Sequence, residues 1–309
     1  MTWSLFPLDG RPFRLTMGLR AVPESQWILD RDDWAEQVAV KHQVLSEHPT
    51  ETFGALPSAE AGSRELLDTL VPHLQHFLAH RYEFVRGVGG IDGVVAVIDV
   101  ATGLRTDLLD HHPLDAAARL VPDDLTVQIR DEREWVLAAA SVAFPSRWVL
   151  AEKVGRGLDA VHDPVPGYDD ALRPAMTGTF DRLRTDRIVE RVNWTIPDDP
   201  ALFQPVPPGR RHQAATAAAN SLDPYEVVAG LWLRIERQTV RLLPESKAAI
   251  FSIGTFVRPL ADIATHRTAL QALIGTLPTV PAANLRYKGI VHAAPAIQSW
   301  AEARLAELS

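Results

Sequence analysis

Apolar residues recur at helical spacing through residues 63–80, where Leu66, Leu67, Leu70, Val71, Leu74, Phe77 and Leu78 form one stripe. The spacing predicts a helix there, and residues 31–46 predict another. Ser63 could cap the first of these, but Leu66 stands where a capping box needs Glu or Gln. Pro72 is expected to kink or split the helix, because proline carries no backbone donor. His73, His76 and His80 fall at i, i+3 and i+7. They read either as a metal-binding face or as an ordinary polar face opposite the leucines.

Strand signals follow. Residues 94–100 read as a buried strand, after Gly87-Val88-Gly89-Gly90, which reads as a loop. Residues 125–129, 134–141 and 188–196 are further strands. Residues 149–162 and 168–183 read as helices, parted by Pro164-Val165-Pro166-Gly167. The clearest unit is a hairpin, residues 230–243 and 248–257, joined by Pro244-Glu245-Ser246-Lys247. Helices return at 265–276 and 295–307. Strands in the middle with helices at both ends predict an α+β fold with a largely antiparallel sheet.

Alternation along the hairpin sorts its side chains. Leu231, Leu233, Ile235 and Arg237 share one face, and Trp232, Arg234, Glu236 and Gln238 share the other. Phe251 and Ile253 share a parity on the paired strand. Arg237 therefore ends an apolar stripe. A buried guanidinium is costly unless an anion meets it, so either a ligand carboxylate or an internal Asp or Glu is expected.

His162 borders the stripe Leu150, Val154, Leu158 and Val161. It ends its helix, where the dipole mildly favours a cation, and Asp163-Pro164-Val165-Pro166 after it is stiff. A rigidly supported inward imidazole suits a metal ligand, and equally a satisfied structural histidine.

Composition narrows the chemistry. The chain has 309 residues, with 31 basic and 39 acidic side chains for a net charge of −8. That argues against nucleic acid as a partner. There is no cysteine. Disulfides, Cys-ligated zinc, a thiolate nucleophile, a Cys-ligated iron–sulfur cluster and an axial thiolate on haem are all excluded. The stretch Met1-Thr2-Trp3-Ser4-Leu5-Phe6-Pro7 has no secretory pattern. The longest near-apolar run, residues 136–144, is too short to span a bilayer, so a cytoplasmic protein with no membrane contact is expected. Walker A, His-Glu-x-x-His and Gly-x-Ser-x-Gly sequences are absent. The glycines at 87–93 miss the dinucleotide fingerprint by one residue, and no His-x-Asp or His-x-Glu supports a facial iron triad. His111 and His112 read as loop residues.

Several ordered segments carry a resemblance. They are Phe13-Arg14-Leu15-Thr16-Met17-Gly18-Leu19, Phe144-Pro145-Ser146-Arg147-Trp148, Lys153-Val154-Gly155, Val161-His162-Asp163-Pro164-Val165-Pro166-Gly167-Tyr168 and Arg191-Val192-Asn193-Trp194. Leu233-Arg234-Ile235-Glu236-Arg237-Gln238-Thr239 through Leu243-Pro244, and Tyr287-Lys288-Gly289, continue the series. With these segments the chain resembles the family of haem-dependent oxidative N-demethylase α-subunit-like proteins.

The resemblance implies a single PAS-like domain over residues 1–309, elaborated by additional N- and C-terminal helices and carrying haem b. It implies O2-dependent demethylation of a small secondary amine such as dimethylamine, with loss of formaldehyde. Electrons would come from NADPH through flavin and an iron–sulfur centre on partner reductase subunits. It implies His162 as the axial iron ligand. Arg237 becomes a candidate for a haem propionate, with Lys153, Arg191 and Asn193 as weaker candidates for the same shell. Glu236 becomes the candidate for holding a substrate ammonium. Glu236 and Arg237 differ in parity, and a bulge at Arg237 would reconcile their roles. The family pattern leads one to expect Arg and Tyr where this chain reads Phe251-Ser252-Ile253-Gly254-Thr255-Phe256. That departure keeps two other readings open: a non-catalytic haem sensor or carrier, and a haem-free ligand-binding domain.

Overall fold

A computed structural model describes residues 5–162, 165–205 and 223–308. Residues 1–4 of the amino-terminal stretch, and Asp163 and Pro164 of the stiff segment, lie outside them. In chain order the elements are β1 (Arg20–Val22), α1 (Trp34–Glu47), α2 (Pro49–Thr52), β2 (Phe53–Ala55), α3 (Glu60–Phe77), β3 (Tyr82–Ile91), β4 (Val94–Asp99), β5 (Arg105–Asp107) and α4 (Pro113–Arg119). Then come β6 (Asp124–Arg130), β7 (Trp135–Ser141), α5 (Leu158–His162), α6 (Arg173–Phe180), β8 (Ile188–Thr195), α7 (Pro224–Ala229), β9 (Trp232–Leu242) and β10 (Ala249–Pro259). Three helices follow: α8 (Arg267–Thr276), α9 (Ala282–Tyr287) and α10 (Ala294–Glu307).

Seven strands form one sheet in the order β1-β8-β9-β10-β6-β7-β2, and β3-β4-β5 form a second. Every neighbouring pair is antiparallel. The fold is α+β, as the pattern predicts. No helix among the described residues is long and apolar enough to cross a membrane.

The large sheet is covered on both faces. On the first face, Leu66, Leu67, Leu70 and Leu74 of α3 and the indoles of Trp27 and Trp34 bury against Leu125, Val127 and Ile250. The same face continues into Trp194, Ile235 and Phe256, which pack on Leu270, Leu273, Ile297 and Trp300 of the carboxy-terminal helices. On the second face, Leu158, Tyr168, Leu172, Met176 and Phe180 cover Val240 and Ala249. Burial of this kind yields roughly 1.5–3 kcal/mol per large apolar side chain, which fixes the register strongly.

Local structure departs from the sequence pattern at five points. α3 runs through Pro72 unbroken. There the ring only deprives the Asp68 carbonyl of its helical donor, and the leucine stripe holds the helix together. His73 does not share a polar face with His76 and His80, which are exposed. It is buried among the leucines, with its ring edge-on to Trp27 at 5.0 Å. The glycines at 87–90 form the irregular end of β3 and not a loop, with register shifts after Val85 and Arg86. Residues 149–162 are not one helix. A 3-10 turn at Leu150–Glu152 ends before Gly155, whose φ is +85°. The chain then bonds β7, Gly155 N donating to Leu137 O at 2.8 Å and Leu137 N to Arg156 O at 3.0 Å. Only after Gly157 does the short helix α5 form. Residues 168–183 likewise divide into a π turn, Tyr168–Leu172, and α6.

Candidate functional site

The break at Gly155–Gly157 decides where His162 goes. It lets α5 lie across the second face of the sheet with His162 at its last position. His162 Nδ1 lies 2.8 Å from the Leu158 carbonyl oxygen. A carbonyl can only accept, so Nδ1 carries the proton and Nε2 holds the lone pair. The ring stacks on Tyr168 with centroids 5.7 Å apart and planes 14° from parallel. Tyr168 is fixed in turn by donating to Asp159 Oδ1 at 2.6 Å. Burial pushes the imidazole pKa down, and the nearby Lys153 and Arg191 cations add to that shift, so the ring is neutral. Among the described residues nothing hydrogen-bonds Nε2.

Opposite this helix, the sheet presents polar side chains where an apolar face would be ordinary. Arg191 pairs with Gln238 and Asn193 with Glu236 across β8 and β9, which puts all four on the second face. Glu236 is the centre of the group. Gln238 Nε2 donates to its Oε2 at 3.0 Å, Asn193 Nδ2 stands at 3.5 Å from the same oxygen, and Arg234 Nε lies 3.6 Å from Oε1. Arg234 is itself fully buried and spends other donors on the carbonyls of Phe144 and Leu202.

The carboxy-terminal region closes the group. Asn284 of α9 donates to the Pro166 carbonyl at 3.2 Å, tying this helix to the segment after His162. Tyr287 ends α9 and Lys288 follows it. Lys288 Nζ donates to the Trp194 carbonyl at 2.6 Å and sits 4.2 Å from the centre of the Trp194 ring. Burial pulls the Lys288 pKa down to about 8, against the Glu236 carboxylate, which holds it up. Burial and the same carboxylate push the Tyr287 phenol up. Arg191 is desolvated as well, which lowers its pKa although Glu236 and Tyr287 oppose the shift. Its guanidinium makes no hydrogen bond or ion pair among the described residues. Such a cation carries a desolvation cost that only an anion would offset.

Lys153 is placed beside His162 but is less available. Its Nζ donates to the Val161 carbonyl at 2.6 Å and lies 5.7 Å from the Trp148 ring centre. His162, Lys153, Arg191, Asn193 and Glu236 thus come to one region of the second face. Lys288, Tyr287 and Gln238 also belong to this group, although the sequence alone does not single them out as site residues. The signal was present in Tyr287-Lys288-Gly289, but no sequence spacing links it to Glu236.

Arg237 does not join them. β9 keeps strict register with both neighbours, with no bulge at Arg237, so its side chain lies on the first face. There Nε donates to Glu190 Oε2 at 2.6 Å, and the other nitrogens reach the carbonyls of Trp27, at 3.1 Å, and Gln26. The anion that this guanidinium requires is internal, both side chains being 2% exposed. Gly254 and Phe256 pair with Arg237 and Ile235 and lie on this face too. A Cβ at Gly254 would stand 3.2 Å from Asp123 Oδ2 and 3.4 Å from Arg31 Nη1. The Arg31 guanidinium caps the Phe256 ring at 4.3 Å. A buried cation thus comes from a distant part of the chain, and the unusual β10 residues do not face His162.

No group of three or more His, Asp or Glu side chains arranged for a metal ion occurs among the described residues. A metal held inside a macrocycle needs only one or two ligands from the protein. A neutral imidazole with one nitrogen anchored, near a guanidinium that has no partner among the described residues, fits an iron–macrocycle carrying carboxylates. Residues 18–298 match one protein-family model, described as haem-dependent oxidative N-demethylase, alpha subunit-like.

Proposed function

The chain belongs to the haem-dependent oxidative N-demethylase α-subunit-like family, and on that premise we propose that it is the haem-binding oxygenase subunit of an amine demethylase. The observation that carries this reading is His162, with Nδ1 held by Leu158 and no hydrogen bond to Nε2 among the described residues. In this reading His162 Nε2 ligates the iron of haem b, and the Leu158 carbonyl keeps the ring in the ligating tautomer. Arg191 meets a haem propionate, with Lys153 and Asn193 nearby. Arg237 is left out of that shell because Glu190 and two carbonyls already use its donors. The PAS-like character of the sheet, a single haem domain and a cytoplasmic setting belong to the same proposal.

Haem, when bound, supplies the activation of O2. The chain's own residues bind and orient the amine. Glu236 provides the negative charge that a desolvated ammonium needs, and Asn193 and Gln238 fix that carboxylate. For dimethylamine the balance is (CH3)2NH + O2 + 2 e− + 2 H+ → CH3NH2 + HCHO + H2O. The two electrons come from a reductase subunit that draws on NADPH through flavin and an iron–sulfur centre. A chain without cysteine offers no thiolate for such a cluster, so the relay lies on another polypeptide. The departure at Gly254 and Phe256 no longer favours a sensor, because those residues sit on the face away from His162. The test is formaldehyde release from haem-loaded protein, dimethylamine, O2 and a supplied reductase. Stoichiometric, amine-dependent formaldehyde is expected. Reductant consumption without formaldehyde across small N-methylamines would overturn the reading.

A further inference from the structure

The Leu158 carbonyl holds His162 at one point, 2.8 Å from Nδ1. That bond selects the tautomer but leaves the ring plane soft, because the second side-chain torsion of histidine has broad wells. Tyr168 supplies a second constraint. Its ring lies 14° from parallel to the imidazole, with centroids 5.7 Å apart, an offset stack. The Nε2 lone pair lies in the imidazole plane, so a ring stacked alongside restrains the plane without using Nε2. Tyr168 is 2% exposed and is located from both ends. Its hydroxyl donates to Asp159 Oδ1 at 2.6 Å and lies 3.5 Å from Met176 Sδ. Asp159 and His162 stand at i and i+3 of α5 and share a face, one meeting the hydroxyl and the other the ring. Arg173 Nη1 lies 3.5 Å from the second Asp159 oxygen. Between His162 and Tyr168 the backbone bonds twice, Val165 N donating to His162 O at 2.9 Å and Tyr168 N to Val165 O at 3.0 Å. Gly167 makes the reversal with φ +79°, a conformation that a side chain would strain.

We propose that Tyr168, tied to Asp159, is a positioning residue that sets the plane in which His162 presents Nε2 to the haem iron. This rests on the reading of His162 as the ligand and deepens it. Leu158 chooses the nitrogen, and Tyr168 chooses the plane. Tyr168 touches neither iron nor substrate in this account and acts only through the imidazole. Its contribution is preorganisation: a ring whose plane is fixed before haem arrives loses less freedom when it binds. The Asp159 bond serves the same end, because it keeps the phenol from sliding off the imidazole.

The experiment is proton NMR of the haem methyl groups in the ferric, cyanide-bound holoprotein, whose shifts follow the plane of the axial imidazole. Tyr168→Leu removes both stack and tether. Its methyl pattern should move away from that of the wild type, and haem affinity should fall about 10-fold, the lower end of the cost of altering an outer partner of a ligand. Tyr168→Phe keeps the ring and loses the tether, so its pattern should move less, in the same direction. Asp159→Ala should match Tyr168→Phe, whereas Asp159→Asn keeps an acceptor oxygen for the hydroxyl and should retain the wild-type pattern. A merely structural role would lower the melting temperature of the apoprotein and leave the methyl pattern alone. That result for Tyr168→Leu would overturn the proposal and leave the His162 reading standing. Should Tyr168→Leu not fold, unchanged patterns in both Tyr168→Phe and Asp159→Ala would overturn it equally. A His162→Ala holoprotein with the wild-type methyl pattern would overturn the His162 reading and this proposal together.

Discussion

Glu236 and Arg237 are consecutive residues of one unbroken strand and face opposite sides of the seven-stranded sheet. Glu236 enters the polar group opposite His162, and Arg237 enters a buried pair with Glu190. Two adjacent ionisable residues thus have separate work, one at the candidate site and one inside the fold.

Removing Arg237 should therefore destabilise the protein and leave ligand chemistry nearly untouched. Arg237→Ala strands Glu190, which is 1% exposed, without its main partner. Breaking one side of a buried pair costs roughly 3–5 kcal/mol. Thermal and denaturant melts should show the loss. Glu190→Gln with Arg237→Met, removing both charges, should recover part of it. A large drop in haem affinity at unchanged stability would be the wrong outcome for this assignment.

Arg191 should behave in the opposite way. Its guanidinium makes no hydrogen bond among the described residues, so Arg191→Ala removes a desolvated charge and should cost the apoprotein little. If it meets a propionate, a hydrogen bond to a charged group worth about 1.5–3 kcal/mol is lost, or roughly 10–100-fold in haem affinity. Haem transfer to apomyoglobin measures this directly. An unchanged transfer rate would remove Arg191 from the haem shell.

His73 gives the fold a pH dependence. Burial holds its pKa down to about 4, although Glu24 pulls it up, whereas an unfolded histidine titrates near 6.5. The unfolded chain therefore binds more protons between these values, and stability rises with pH across them. The contribution is complete above about pH 6.5 and falls away toward pH 4, with a ceiling of about 3 kcal/mol. Urea melts between pH 4 and 7 should show this slope. His73→Phe should flatten it; an unaltered slope in that variant would assign the effect to other groups.

The antiparallel core was readable because its signals are local. Alternation and a Pro-containing turn define the β9–β10 hairpin, and the same alternation already separates Glu236 from Arg237. What could not be read depends on distant partners. Glu190 lies on another strand from Arg237, and Arg31 reaches Gly254 from before the first long helix. Lys288 meets Trp194 from beyond the end of α9, a helix that also bonds the distant Pro166 carbonyl. Apolar spacing alone predicts one helix before His162, but Gly155 and Gly157 interrupt it and the backbone there bonds to β7 instead. Pro72 has the opposite outcome, since packing of the leucine stripe overrides one missing donor.

Haem titration of the purified apoprotein, followed by absorption, bears most directly on the central claim that His162 is the ligand on this face. Wild-type protein should bind one haem with a sharp Soret band. His162→Ala should lose or strongly shift that band while its melting temperature without haem stays close to that of the wild type. Added imidazole should restore the band to His162→Gly. A His162→Ala protein with an unchanged Soret band and unchanged haem affinity would contradict the account.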